Sequence, residues 1–179
     1  LFMLLMAVAT GVVAGVGAWG FRMLIGLVHN VLFLGEFAFS YDANVHTSVS
    51  PWGAGIILVP VIGAVAVAYL VKNFAPEAKG HGVPEVMEAV ALRGGRIRPA
   101  VVLVKALASG VCIGSGGAAG REGPIVQIGS ALGSTVGQAL RLSDERVTNL
   151  VACGAAGGIA ATFNAPIAGS LFALEVVLG

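Results

Sequence analysis

Two short stretches of this 179-residue chain break a hydrophobic sequence with glycine and proline in similar order. The first is Gly80–His81–Gly82–Val83–Pro84, and the second is Gly120–Arg121–Glu122–Gly123–Pro124. Each ends in a proline that leads into a helix-forming run. Proline suits a first helical turn, where an amide would lack an intrahelical partner in any case. The amides left free at such an end carry about half a positive charge and form a ready anion site. Two of these ends at membrane depth would hold a dehydrated anion without a full positive charge. Partial dipoles permit exit as well as capture, whereas a lysine cluster would hold the anion too tightly for conduction. Glu122 places a carboxylate at one such end, where it is the natural occupant of an empty anion site. A plain Gly-Pro kink is the bland alternative. It weighs less because the break occurs twice, once with an embedded carboxylate.

The surroundings of these stretches favour a lipid solvent. The chain is 57% hydrophobic and 11% charged, with a mean hydropathy of +0.94. Soluble domains carry about 25% charged residues. The few charges are clumped, so residues 1–21, 43–71, 123–140 and 147–174 contain no Asp, Glu, Lys or Arg. Runs of about 18 or more such residues are the usual signal of a membrane-spanning helix, and four in so short a chain exceed what a soluble core needs. The net charge of +1 gives no electrostatic case for nucleic acid.

The elements can be placed from the same pattern. Residues 1–35 read as one long tilted helix interrupted by Arg22. Residues 36–50 form an acidic loop, and residues 51–71 a second span with Trp52 as an interfacial anchor and a kink at Pro60. Residues 72–98 are a basic connection containing a short amphipathic helix that starts at or just after Pro84. The positive-inside rule puts this connection in the cytoplasm and the 36–50 loop outside. Residues 99–119, with the single charge Lys105, and residues 123–140 are further apolar stretches. The last, 147–174, is broken at Phe163–Asn164–Ala165–Pro166 into two shorter helices. Twenty-seven glycines, densest around Gly154, Gly157 and Gly158, point to close helix packing. The fold expected is all-α and membrane-integral, with 1–179 as one membrane domain. The start lacks the basic region of a signal peptide, and both ends read as cut from something longer.

Other constellations carry less. Cys112 and Cys153 lack CxxC spacing and read as small core residues. His29, His46 and His81 show no metal-ligand spacing, so no metal and no cofactor is expected. Gly114–Ser115–Gly116–Gly117–Ala118–Ala119 fits the glycine fingerprint of dinucleotide-binding folds, but it lacks the preceding strand and the acidic residue about 20 positions on. Nothing supports an enzyme.

GREGP at 120–124, followed by IVQIGS, resembles the G(K/R)EGP signature of the CLC chloride channel and transporter family. GHGVP at 80–84 is similar to that family's GSGIP, and GAAGGIAATFNAPIAGSLFALE at 154–175 resembles the stretch that follows. The resemblance implies tilted and broken helices forming the first half of an inverted-repeat fold. It also implies a homodimer in lipid, in the plasma or inner membrane, with chloride as the transported substrate. Gly80, His81, Gly82, Val83, Pro84, Arg121, Glu122, Gly123 and Pro124 would then bind the anion. Glu122 would gate the path and exchange protons, and Arg121 would draw anions to the outer entrance. The family's second-half features, a GxFxP motif and a late tyrosine, do not occur here; Tyr41 and Tyr69 lie elsewhere. Two positions depart from the family. His81 replaces a serine; its imidazole can still donate to an anion and would bind more tightly when protonated. Val176 stands where proton-coupled exchangers carry an inner glutamate, with Glu175 beside it as a potential substitute. The expected activity is therefore passive chloride conduction. The alternatives are a proton-coupled antiporter, a fluoride-selective relative, or a non-conducting assembly module.

Overall fold

A computed structural model describes residues 1–41 and 50–179. Of the loop expected over 36–50, residues 42–49, His46 among them, lie outside the described residues. Every regular element among the described residues is helical. Helix α1 spans Phe2–His29 and continues as a π-helical turn, Asn30–Leu34, that ends at left-handed Gly35. Its buried residues Thr10, Ala14, Ala18, Phe21 and Ile25 recur every three or four positions and form one stripe. Leu4, Leu5, Val8, Val12, Val16 and Trp19 are exposed on the rest of its surface.

A 3₁₀ turn, Gly53–Ile57, leads into α2, Leu58–Phe74. Pro60 falls in the first turn of α2, so it starts the helix where the sequence predicted a kink inside it. Among the described residues, α1 with its π turn and α2 with its 3₁₀ turn are the two helical segments long and apolar enough to cross a membrane. Within their most apolar stretches only 17% and 11% of residues are buried, a pattern that suits lipid and not a soluble core.

The other two charge-free runs are not such spans. Residues 123–140 fall in α5, Glu122–Ala139, whose first two turns after Gly123 are buried continuously from Pro124 to Ala131. This helix is the centre of the molecule and packs most extensively against α6, Asp144–Phe163. The fourth run does break at the predicted place. α6 ends on left-handed Asn164, and α7, Pro166–Phe172, begins two residues later and runs into a π turn, Ala173–Val177. The charge-free composition of these two runs goes with burial of α5 and α6 against other helices.

Glycine makes that burial possible. A Cβ on Gly129 would strike the Gly154 carbonyl oxygen, and one on Gly154 would strike that of Gly129. α5 and α6 therefore run backbone against backbone, the contact extended by Gly133 against the Leu150 carbonyl and Gly158 against that of Ile125. Between α2 and this core lie α3, Val83–Arg93, and α4, Ala100–Gly114. α3 begins one residue before the Pro84 suggested by sequence and stops on left-handed Gly94. The turn after it is fastened to α5: the Ile97 amide donates to Ser134 Oγ at 2.8 Å, the Ser134 hydroxyl donates to the Gly95 carbonyl at 2.6 Å, and Gln138 Nε2 donates to the Ile97 carbonyl at 2.8 Å.

Candidate anion site

The two glycine-proline motifs, whose first glycines are 40 residues apart in sequence, meet in space. A Cβ added to Gly82 would run into the Gly123 carbonyl, and one added to Gly123 would run into the His81 carbonyl. Only glycine at both positions lets the turns approach this closely. Gly80 and Gly82 also adopt φ of +106°, a backbone conformation that side-chain-bearing residues rarely take. Because residues 94–97 lie against Ser134 and Gln138 at the other end, α3 and α5 run side by side in the same direction. Their dipoles therefore present two positive ends at one spot. Like poles side by side repel, so the arrangement favours negative charge between them.

The α5 end is open. Arg121 is its N-cap, and Glu122, Gly123 and Pro124 fill the first turn, with the Ile125 amide closing the first bond to the Arg121 carbonyl at 3.1 Å. The amides of Glu122 and Gly123 precede that bond and have no intrahelical acceptor. Glu122 is exposed, and its carboxylate folds back over Gly120, where an added Cβ would collide with it. Arg121 does not pair with it among the described ion pairs. Its guanidinium sits 5.9 Å from the ring centre of Phe163, at the end of α6, in cation–π range.

The α3 end is partly taken. Glu85, in its first turn, accepts a hydrogen bond from the Gly82 amide at 2.7 Å. The Glu sits three residues after the N-cap, the spacing from which a side chain reaches back to cap. His81 and Pro84 are exposed, Val83 is half-buried and Gly82 is buried.

Sequence reasoning assigned no role to Lys105, and the structure gives it one. It is 2% exposed on α4, and its Nζ donates to the carbonyls of Gly80 at 2.8 Å and Ala78 at 3.0 Å. Its one signal in the sequence was being the single charge in an apolar helix. Lys105, Gly80, His81, Gly120 and Pro124 share a cavity of about 800 Å³ with Lys72 and Lys79, and no carboxylate among the described residues lines it. Beneath the turns, Gln127 is buried and donates through Nε2 to the Glu77 carbonyl at 3.1 Å.

The remaining candidates lie apart. The π turn holding Glu175 and Val176 packs on α3 and α6; Ala173 and Val177 join the core, Val176 is half-buried and Glu175 is exposed. Both cysteines are free and half-buried, Cys112 in the wall of the cavity. His29 lies inside the helical run, with its ring 4.7 Å from Phe33 and 4.1 Å from Tyr41. The Gly114–Ala119 stretch is the end of α4 and the loop after it, with no strand before it. No metal-binding cluster occurs among the described residues.

Comparison with known proteins points the same way. Residues 62–179 match the family model described as voltage gated chloride channel. The chain is 38% identical over 177 residues to the H(+)/Cl(-) exchange transporter ClcA of Vibrio parahaemolyticus, covering 96% of this chain and 36% of that protein. It is 43% identical over 129 residues to ClcA of Vibrio vulnificus, covering 69% of this chain and 27% of that protein. Its fold is similar to that of a slow cyanobacterial Cl⁻/H⁺ antiporter, with a TM-score of 0.74, 27% identity, and coverage of 97% of this chain and 40% of the other. A eukaryotic CLC transporter shares the fold with a TM-score of 0.69 at 23% identity. The chain thus spans about a third of the length of the curated relatives it matches.

Proposed function

Because this chain belongs to the voltage gated chloride channel family, we propose that it supplies one half of a transmembrane chloride pathway, with the anion held where the N-termini of α3 and α5 meet. The observation that carries this reading is the glycine-to-glycine contact of the two turns, which aims two parallel helix dipoles at one place. The Glu122 and Gly123 amides are the donors, and His81 lies at the same mouth. Glu122 acts as the gate. Ionised, its carboxylate competes with chloride for the α5 amides; protonated, it gives up that claim and the path opens. Arg121, parked on Phe163, raises the local anion concentration without occupying the site. The setting is the cell membrane, and the assembly is a homodimer in which each subunit carries its own pathway.

The transport mode proposed is passive conduction, since Val176 cannot carry a proton from the cytoplasmic side. A second reading, proton-coupled exchange, is favoured by the names of the relatives, which are H(+)/Cl(-) exchange transporters. In that case Glu175, exposed and one residue away, takes the proton. Chloride efflux from liposomes holding the full-length protein separates the gate from a bystander. Glu122→Gln should conduct at neutral pH as the parent does in acid and should lose most pH dependence. Unaltered flux and pH profile in that variant would refute the gating role.

A further inference from the structure

Another cavity, of about 350 Å³, lies between the 76–79 segment, α3, the turn at 96–98 and α5. It belongs to the basic connection that the positive-inside rule assigns to the cytoplasm. Among the described residues, four cations line it, Lys79, Arg93, Arg96 and Arg98, against the carboxylates of Glu77, Glu85 and Glu88. Each carboxylate is engaged. Glu85 accepts from the Gly82 amide at 2.7 Å, Glu88 pairs with Arg93, and Glu77 Oε1 accepts from Arg98 at 2.8 Å. The cations are not used up. An arginine carries five N–H donors, and Arg93 and Arg98 each give one to a carboxylate. Lys79 makes no ion pair among the described residues. The cleft therefore has donors to offer an anion.

It also holds acceptors in search of a donor. Glu77 Oε2 and Gln127 Oε1 are shut off from solvent and have no hydrogen-bond partner among the described residues. Gln127 is 2% exposed, and its Nε2 donates to the Glu77 carbonyl at 3.1 Å. Turning that amide over would set oxygen against oxygen, so Oε1 stays the orphan. A buried acceptor without a donor is costly. Chloride, sulfate and the phosphodiester of a lipid headgroup bring no hydrogen at neutral pH. Inorganic phosphate does: it keeps at least one hydroxyl while its other oxygens accept.

We propose that this cleft is a cytoplasmic binding site for inorganic phosphate, selected as an oxyanion that still carries a proton. Its oxygens take the spare N–H groups of Arg93 and Arg98 and the ammonium of Lys79. Arg98 is largely exposed, so its guanidinium swings from Glu77 onto the phosphate and uncovers the carboxylate. Glu77 then accepts the P–OH hydrogen. The volume leaves room for bridging water around the ion. The site is distinct from the proposed chloride site and does not depend on it.

The test follows the ³¹P line width of inorganic phosphate at neutral pH with full-length protein in a phosphate-free detergent. Phosphate should broaden. Sulfate, dimethyl phosphate and chloride, each added at matched ionic strength, should reverse the broadening at least roughly tenfold less well than unlabelled excess phosphate, the scale of one orphaned acceptor. Lys79→Met and Arg98→Met, both surface changes, should each weaken the broadening severalfold. Glu77→Gln places an amide that can donate as well as accept, so sulfate should then compete as well as phosphate. No broadening in the parent overturns the proposal. So does sulfate competing equally in the parent, which is attraction by charge alone, and so does broadening that survives both Lys79→Met and Arg98→Met. If Glu77→Gln folds and still rejects sulfate, selection by the proton is refuted; if it does not fold, sulfate against phosphate in the parent decides.

Discussion

At the scale of single residues the site is a balance of small electrostatic terms arranged by backbone. Gly82 and Gly123 are needed for closeness, and Gly123 has ordinary helical geometry, so alanine there is a steric probe alone. Gly123→Ala should push the turns apart and raise the half-saturating chloride concentration several-fold while the protein still folds; chloride-dependent flux measures this. His81 brings an imidazole to a position where the family carries a hydroxyl. His81→Ser should flatten whatever part of the pH dependence survives in Glu122→Gln between about pH 5 and 8, and an unchanged residual profile in the double variant would clear His81 of that role. The Gly-x-Gly and Gly-Pro patterns and Glu122 were readable from sequence because they break a helix and place a charge. Glu85 and Lys105 were not, since their partners are backbone groups brought near by folding: the Gly82 amide in one case, the Gly80 carbonyl in the other.

At the scale of elements, the parallel pair α3 and α5 is what aligns the dipoles, and glycine contacts between α5 and α6 fix the depth at which α5 sits. Gly129→Ala would place a methyl against the Gly154 carbonyl, an overpacking that should cost about 1–3 kcal/mol and lower the thermal midpoint of purified protein. The connection from α2 to α3 is tied down on the other side by Glu77, whose Oε1 accepts from Arg98 at 2.8 Å. A hydrogen bond from its own backbone amide, then Arg98, holds the Glu77 carboxyl below the usual carboxylate range. A carboxyl with a depressed folded pKa adds stability above its unfolded pKa and loses it as pH falls through the folded one. Thermal midpoints should therefore drop on acidification between about pH 5 and 3, and Glu77→Gln should remove that portion of the drop. The effect is small because Arg98 is largely exposed. Element positions were legible in the sequence wherever proline and glycine punctuate it, as at Pro84 and Asn164–Pro166. Span number was less so: α5 is as free of charge as α2, and what separates them is its Gln, Ser and Thr residues together with the glycines that bury it against α6.

At the scale of the molecule, the chain is a bundle with one face built for lipid and a core helix that ends at an open, positively polarised mouth. It covers about a third of the length of its relatives. The proposed passive mode is tested at Val176. Full-length protein with Val176 should fail to pump protons against their gradient when driven by chloride, and Val176→Glu should gain measurable coupling; uphill proton movement in the parent would instead establish exchange. The claim on which all of this depends is that an anion sits between the two helix ends. Crystals of the full-length protein soaked in bromide test it directly by anomalous diffraction. A bromide peak within hydrogen-bonding reach of the Glu122 and Gly123 amides and beside His81, strengthened in Glu122→Gln, is the result predicted. Bromide bound elsewhere, with no peak at the junction of the two turns in either protein, would contradict it.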